Sequence, residues 1–440
     1  MLKDYRNCAK NLLKMAGPII MGNLGFIMIG VGDVVVAGRH STDTLAAISI
    51  ATAITNCILM LGIGILTTSS AILSNYRGEG KNIEKYFAPV MKSTIVLSII
   101  GSMLIFACIP FIDKIGYSPD LAKIVKDYFF ITGFAVFGGY LHCAMKEYLQ
   151  AFEIVVFPNL LTIFCVFLNF GLNILLVFGC GVIPEMGAIG LAISSLLVRY
   201  FMGIVLLVYC FIKIKTQYYS DRKYYKDLVK VGLPASLAIM IEFTGFNIIA
   251  VIMGRVAGIY AAAHNLICTL TSVAFMIPLA ISNAAAVKVG FANGAKDFTT
   301  LKKYAYTCIT ISVGVMAISA TLLGLFPSFI TGLFTTDPEL IKVCMPIVYV
   351  LCFFQIFDGI QVSLSGIFKG LKQTKIVMLS NIIAYWFISF PLGCILAFKF
   401  NLNLLGFWFG LFVSSVSVCL IMSYALNVNF RKLANNGFQE

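Results

Sequence analysis

Apolar residues run along this chain in stretches of twenty or more, from Ala16 to Leu426, broken by short polar or basic segments. A run of that length crosses a hydrocarbon core of about 30 Å as one helix. The pattern predicts twelve spans, at about 13–38, 44–75, 88–112, 124–147, 156–179, 187–213, 231–254, 258–287, 303–331, 340–367, 375–400 and 403–428. The first apolar run is long and continues as a span, so no cleavable leader is predicted. The tenth span departs from the pattern on one face. Phe354, Asp358, Gln361 and Ser365 recur at i, i+4, i+7 and i+11, with Gln355 beside them. Ile356, Ile360 and Leu364 form the other face. A carboxylate at membrane depth costs about 3 kcal/mol or more unless solvated, paired or protonated, which marks Asp358 as a candidate functional group.

The chain also repeats. At an offset of 216 residues Lys14 matches Lys230, Pro18 matches Pro234, and Gly38-Arg39 matches Gly254-Arg255. Ala46-Ala47 matches Ala262-Ala263, Gly78 matches Gly294, and Gly190 matches Gly406. A six-span unit starts and ends on one side of the membrane, so two copies share an orientation as a parallel repeat. The expected organisation is an all-α polytopic membrane protein of two six-helix bundles around a central cleft. The N-terminal bundle is expected at 1–212, a linker at 213–230 and the C-terminal bundle at 231–440. Such an architecture serves alternating access, with substrate held near the midplane.

Composition narrows the class. Of 440 residues, 60% are hydrophobic and 12% charged, against about 25% charged in globular chains. Mean hydropathy is +0.95. The net charge of +13 does not point to nucleic acid, because the basic residues sit in short connectors. With the N-terminus cytoplasmic, the cytoplasmic segments hold 24 Lys/Arg and the opposite loops 7, while Arg199 lies within a span. The positive-inside rule then places both termini in the cytoplasm of a multi-pass inner-membrane protein. The thirteen cysteines form no CxxC and read as packing residues. His142 and His264 stand alone in apolar helices and read as core rather than as metal ligands.

Three acids fall inside spans: Asp33, Glu242 and Asp358. At the 216 offset they face Ile249, Phe26 and His142, so the repeat does not account for them. Asp33 could pair with Asn169 and Asn173, which share a face at i and i+4. Glu242, with Asn247 nearby, joins Asp358 in the second half. Two carboxylates brought close can exchange a proton, a Na⁺ or an organic cation. The alternative for each is a buried acid locked to a fixed partner such as Arg199. Simple interhelical hydrogen bonding fits Asn169 and Asn173 equally well. Arg199 itself fits snorkelling, lipid contact or acid pairing. Phe243, Phe246, Phe354 and Phe357 could meet a flat aromatic cation with their ring faces, or simply fill the core.

Several pieces, in order, resemble one known family. They are Gly32-Asp33 through Gly38, Leu45-Ala46-Ala47, and Gly62-Ile63-Gly64 through Arg77-Gly78-Glu79-Gly80-Lys81. They continue with Leu168-Asn169 through Asn173 to Gly179, Gly232-Leu233-Pro234 through Glu242, Ala262-Ala263-His264 and Met276-Ile277-Pro278-Leu279. Asp358-Gly359-Ile360-Gln361 through Ser365-Gly366, Lys369-Gly370 and Pro391-Leu392-Gly393 complete the set. In this spacing the chain resembles the multidrug and toxic compound extrusion (MATE) family, in its NorM-type branch. The resemblance implies export of small cationic amphiphilic compounds in exchange for Na⁺ or H⁺, with no other cofactor. It also implies cation and substrate binding at Glu242 and Asp358, including a possible Na⁺ there, and coupling-ion binding at Asp33 with Asn169 and Asn173. The match departs at Lys146, Glu147 and Glu153, read as the fourth-to-fifth connector, where an arginine and small residues are more usual.

Two other classes compete. A flippase for lipid-linked oligosaccharides shares the broader architecture, but a pyrophosphate groove needs intramembrane Lys/Arg, and Arg199 is the one such residue against three acids. A membrane enzyme would need a catalytic cluster, and no GxSxG elbow or metal motif is present. The expectation is an antiporter working as a monomer among membrane lipids, not an enzyme.

Overall fold

The computed structural model of the protein describes residues 2–181, 183–214 and 221–435. Among them are twelve helices long and apolar enough to cross a membrane. In chain order they are α1 (Lys3–His40), α2 (Thr42–Gly78), α3 (Ile83–Lys114), α4 (Pro119–Ala151), α5 (Val156–Phe178) and α6 (Gly187–Lys213). There follow α7 (Arg222–Val256), α8 (Gly258–Gly294), α9 (Phe298–Leu325), α10 (Pro338–Gly370), α11 (Thr374–Lys399) and α12 (Asn403–Asn435). The described residues form no strand beyond one isolated bridge, Cys180 with Ile183. The fold is all-α. Of the expected linker, Lys213 closes α6 and Arg222 opens α7, while 215–220 lie outside the described residues.

Local chemistry explains several boundaries. Ser41 caps α2 by accepting from the Thr44 amide at 3.1 Å, and Asp297 caps α9 by accepting from Thr300 at 2.9 Å. α2 breaks at Thr67–Thr68, where both hydroxyls turn back onto carbonyls of the preceding turn, Thr67 to Gly64 at 3.0 Å and Thr68 to Ile65 at 2.7 Å. Those bonds compete with the helical ladder and let the chain bend. Pro18 and Pro234 sit inside α1 and α7.

Contacts divide the chain into two compact units. One holds Met1–Ile20, Ser74–Gly80 and Leu237–Glu440, and the other holds Met21–Leu73 and Lys81–Ser236. The divisions inside α1 and α7, after Ile20 and after Ser236, are themselves 216 residues apart. In the unit containing most of the second half, Lys303 Nζ donates to Asp4 at 3.0 Å, which ties in the start of α1. Within the same unit Gly78 and Gly294 allow backbone against backbone: a Cβ at Gly78 would strike the Phe291 carbonyl, and one at Gly294 the Asn75 carbonyl. In the other unit, Ser236 donates to the Leu61 carbonyl at 2.7 Å, tying in the start of α7.

The repeat register shifts in one place. α4 and α10 both begin at a proline, Pro119 and Pro338, and end at Ala151 and Gly370. Glu153 and Lys372, just beyond them, both take left-handed backbone, at φ 65° and 57°. The offset there is 219, so Gly139 rather than His142 stands opposite Asp358. The asymmetry of the acid is unchanged.

Candidate functional site

Glu242 and Asp358 fall in the same unit. Asp358 is buried on α10, and Glu242 is half-buried on α7. Each lies within electrostatic reach of the other. Gln361, one turn after Asp358, donates from Nε2 toward Glu242 Oε2 at 3.5 Å and toward the Tyr385 hydroxyl at 3.3 Å. Tyr385 and Glu242 lie within electrostatic reach of each other, with Gln361 bridging them. Among the described residues no side chain hydrogen-bonds Asp358. Among the described residues the hydrogen-bond partner of Glu242, Gln361, is therefore uncharged, and the Asp358 carboxylate has none. Gln361 Oε1 is buried without a donor. One buried and one half-buried carboxylate, close together with neutral partners, are stabilised by a proton or another cation from outside the chain.

Not every residue of the predicted stripe reaches this site. Phe354 is 1% exposed and belongs to the apolar core, edge-on to Trp408 at 5.9 Å and to Phe246 at 6.3 Å. Gln355 turns the other way, accepting from Ser319 of α9 at 2.9 Å. Asn247 is exposed and spends its amide on the Phe243 carbonyl of its own helix at 2.7 Å. His264 is core, with Nε2 at 3.0 Å from the Phe246 carbonyl and its ring 5.7 Å from that of Trp408.

Asp33 lies in the other unit with a fuller set of partners. Asn173 Nδ2 donates to Oδ1 at 2.6 Å and Ser195 Oγ to Oδ2 at 3.3 Å, while Asn169 lies beside the carboxylate. Asn173 Nδ2 also reaches Asn169 Oδ1 at 3.1 Å, so the two amides act as one bracket from α5. Arg199, one turn beyond Ser195 on α6, acts on Asp33 through its field, and no ion pair joins them among the described residues. The 216 offset carries Asp33 to Ile249 and Ser195 to Leu411. Ile249 and Leu411 line an apolar cleft with Tyr385 and Ser389 in the first unit. The two halves thus put a polar bracket and an apolar cleft at related places.

Sequence reasoning missed Tyr385, Ser195 and Glu147. Ser195 and Arg199 are i and i+4 on α6, a polar signal that was available. Glu147 was assigned to a connector, but α4 continues to Ala151 and buries it to 6% exposure. Lys146 lies beside it, within its electrostatic reach. Among the described residues no three His, Cys, Asp or Glu side chains group as metal ligands, and the thirteen cysteines are free.

The family model described as MatE matches residues 18–175 and 234–395. A probable multidrug resistance protein NorM of Rhizobium meliloti (strain 1021) is 27% identical over 430 residues, covering 94% of this chain and 91% of that protein. One of the same name from Geobacillus kaustophilus (strain HTA426) is 26% identical over 442 residues, covering 96% and 95%. Among solved structures, the eukaryotic MATE transporter AtDTX14 superposes with a TM-score of 0.87 at 19% identity, covering 98% of both chains. An outward-facing multidrug resistance MATE family transporter of the MOP superfamily gives 0.87 at 17% identity, covering 97% and 96%.

Proposed function

The chain belongs to the MatE family of transporters, and on that footing we propose that it is a secondary antiporter. It exports organic cations and drugs in exchange for Na⁺ or H⁺ by alternating access. The observation that carries this reading is the pair Glu242 and Asp358, within electrostatic reach of each other and, among the described residues, with the neutral Gln361 as the hydrogen-bond partner of Glu242. Such a site gains when an outside cation supplies the missing charge. It cannot hold a drug cation and a coupling ion at full strength together. That mutual exclusion is the coupling free energy an exchanger needs. The relatives named as probable multidrug resistance proteins support the substrate class.

In this scheme the inward-facing protein takes up a lipophilic cation from the cytoplasmic side. Na⁺ or H⁺ entering from outside neutralises Asp358 and Glu242 and releases it. Asp33, held by Asn169, Asn173 and Ser195, serves as a second coupling-ion site. The protein works as a monomer in the cytoplasmic membrane with both termini inside.

The test is ethidium efflux from proteoliposomes under separately imposed Na⁺ and pH gradients. Wild-type protein is expected to respond to at least one gradient, and Asp358→Asn to lose the response. Wild-type rates in Asp358→Asn would overturn the assignment.

A further inference from the structure

α11 is not a uniform helix. It runs as α-helix from Thr374 to Asn381, as π-helix from Ile382 to Ser389, as α-helix again to Cys394 and as π-helix from Ile395 to Lys399. Its repeat partner α5 is α-helical over its 23 residues, whereas α11 takes 26. A π turn widens the helix and offsets the side chains that follow, and such turns gather at functional sites. Here the widened turn carries Tyr385.

Two contacts four residues apart fix where that tyrosine goes. Asn381 Nδ2 donates to the Ala238 carbonyl of α7 at 3.2 Å. One turn further along both helices, Tyr385 meets Glu242. The ring is buried, 6.3 Å from Phe246, so it has little freedom to turn away. Its hydroxyl accepts from Gln361 Nε2 at 3.3 Å, the same amide that reaches Glu242 at 3.5 Å, and Glu242 and Asp358 both lie within electrostatic reach.

We propose that Tyr385 is a positioning residue of the Glu242–Asp358 site, brought there by the π turn of α11, and that its hydroxyl sets how well the site holds a small ion relative to a bulky organic cation. The inference rests on the cation-exchange reading above. A small ion needs oxygen atoms at fixed places close around it, and hard cations take several such ligands. The Tyr385 hydroxyl holds the Gln361 amide that reaches Glu242, and the two side chains offer further oxygens, including the Gln361 Oε1 that has no donor. A bulky cation with its charge spread over aromatic rings needs the two negative charges but not that geometry.

The chain contains two tryptophans. Trp386 follows Tyr385, and Trp408 stands 6.2 Å from Phe246, so intrinsic fluorescence reports on this region without labelling. Purified full-length protein is titrated with NaCl, with protons and with tetraphenylphosphonium chloride, choline chloride holding ionic strength constant. Tyr385→Phe keeps the ring and removes the hydroxyl. It is expected to weaken the small ion to which wild type responds about tenfold, leaving tetraphenylphosphonium within about twofold. Gln361→Leu is expected to act in the same direction. Equal weakening of both ligand types in Tyr385→Phe, or no change in either, overturns the inference. Absence of any response in wild type would instead strike the cation-exchange reading.

Discussion

Asn173 Nδ2 donates to Asp33 Oδ1 across 2.6 Å, from α5 to α1 within one unit, and this is the shortest bond in the bracket around that acid. Removing it leaves a half-buried carboxylate on a longer serine bond. Hydrogen bonds to charged groups are worth about 1.5–3 kcal/mol. Asn173→Leu is therefore expected to lower the thermal unfolding midpoint in detergent clearly. Asp33→Asn should keep stability near wild type, since a neutral amide still bonds Asn173 and Ser195, while gradient-driven exchange falls. Unfolding curves and vesicle transport on both variants check this, and equal stability loss in the two would be inconsistent with it.

Phe354 provides a second test, because the helical stripe and the packing disagree about it. At 1% exposure among Phe246 and Trp408 it is core. Phe354→Ala is expected to cost about 3–5 kcal/mol, as large-to-small changes in tight cores do, and to reduce the yield of folded protein. Phe354→Leu should fold and bind tetraphenylphosphonium as wild type does. A selective affinity loss in Phe354→Leu would place the ring in the binding cavity instead.

How much was legible follows from these cases. Spans, repeat and acids could be read because a membrane helix needs a long apolar run and makes each carboxylate conspicuous. The stripe Phe354–Asp358–Gln361 was right in period but blind to what stood opposite. Period alone does not say whether a face meets polar groups of neighbouring helices, as Gln361 does with Glu242 and Tyr385, or a packed apolar core, as Phe354 does. Tyr385 was hidden twice, by the apolar run Ile382–Phe390 and by π turns that break the 3.6-residue period. Glu147 was lost to a boundary error of four residues. The pairing of Asn173 with Asp33 was legible because amides at i and i+4 share one helix face, though the same spacing also fits plain interhelical hydrogen bonding.

Close backbone approach gives a third prediction. Gly78→Ala and Gly294→Ala each push a Cβ into a backbone carbonyl, which cannot swing aside as a side chain could. Overpacking of this kind costs about 1–3 kcal/mol. Gly314→Ala on α9 is the control, since nothing lies within 4 Å of its Cβ position. The first two variants are expected to unfold at lower temperature and Gly314→Ala at the same temperature or higher. Equal midpoints for all three would mean the helices part easily at that crossing.

The Ser319–Gln355 pair makes the sharpest separation between a site residue and a structural one. Gln355 is fully buried, accepts from Ser319 at 2.9 Å, and has an Nε2 with no acceptor. Ser319→Ala removes the one hydrogen bond recorded for that amide and leaves both its polar atoms unpaired, a cost of about 1–3 kcal/mol. Replacing both partners with apolar groups removes the unpaired atoms as well. Ser319→Ala with Gln355→Leu is accordingly expected to recover most of the stability that Ser319→Ala loses. Tetraphenylphosphonium affinity should be unchanged throughout, because neither side chain bonds Glu242 or Asp358. A double-mutant cycle on unfolding midpoints reads the coupling. If the double variant is instead the least stable of the set, or if Gln355→Leu alone abolishes cation binding, Gln355 belongs to the binding site.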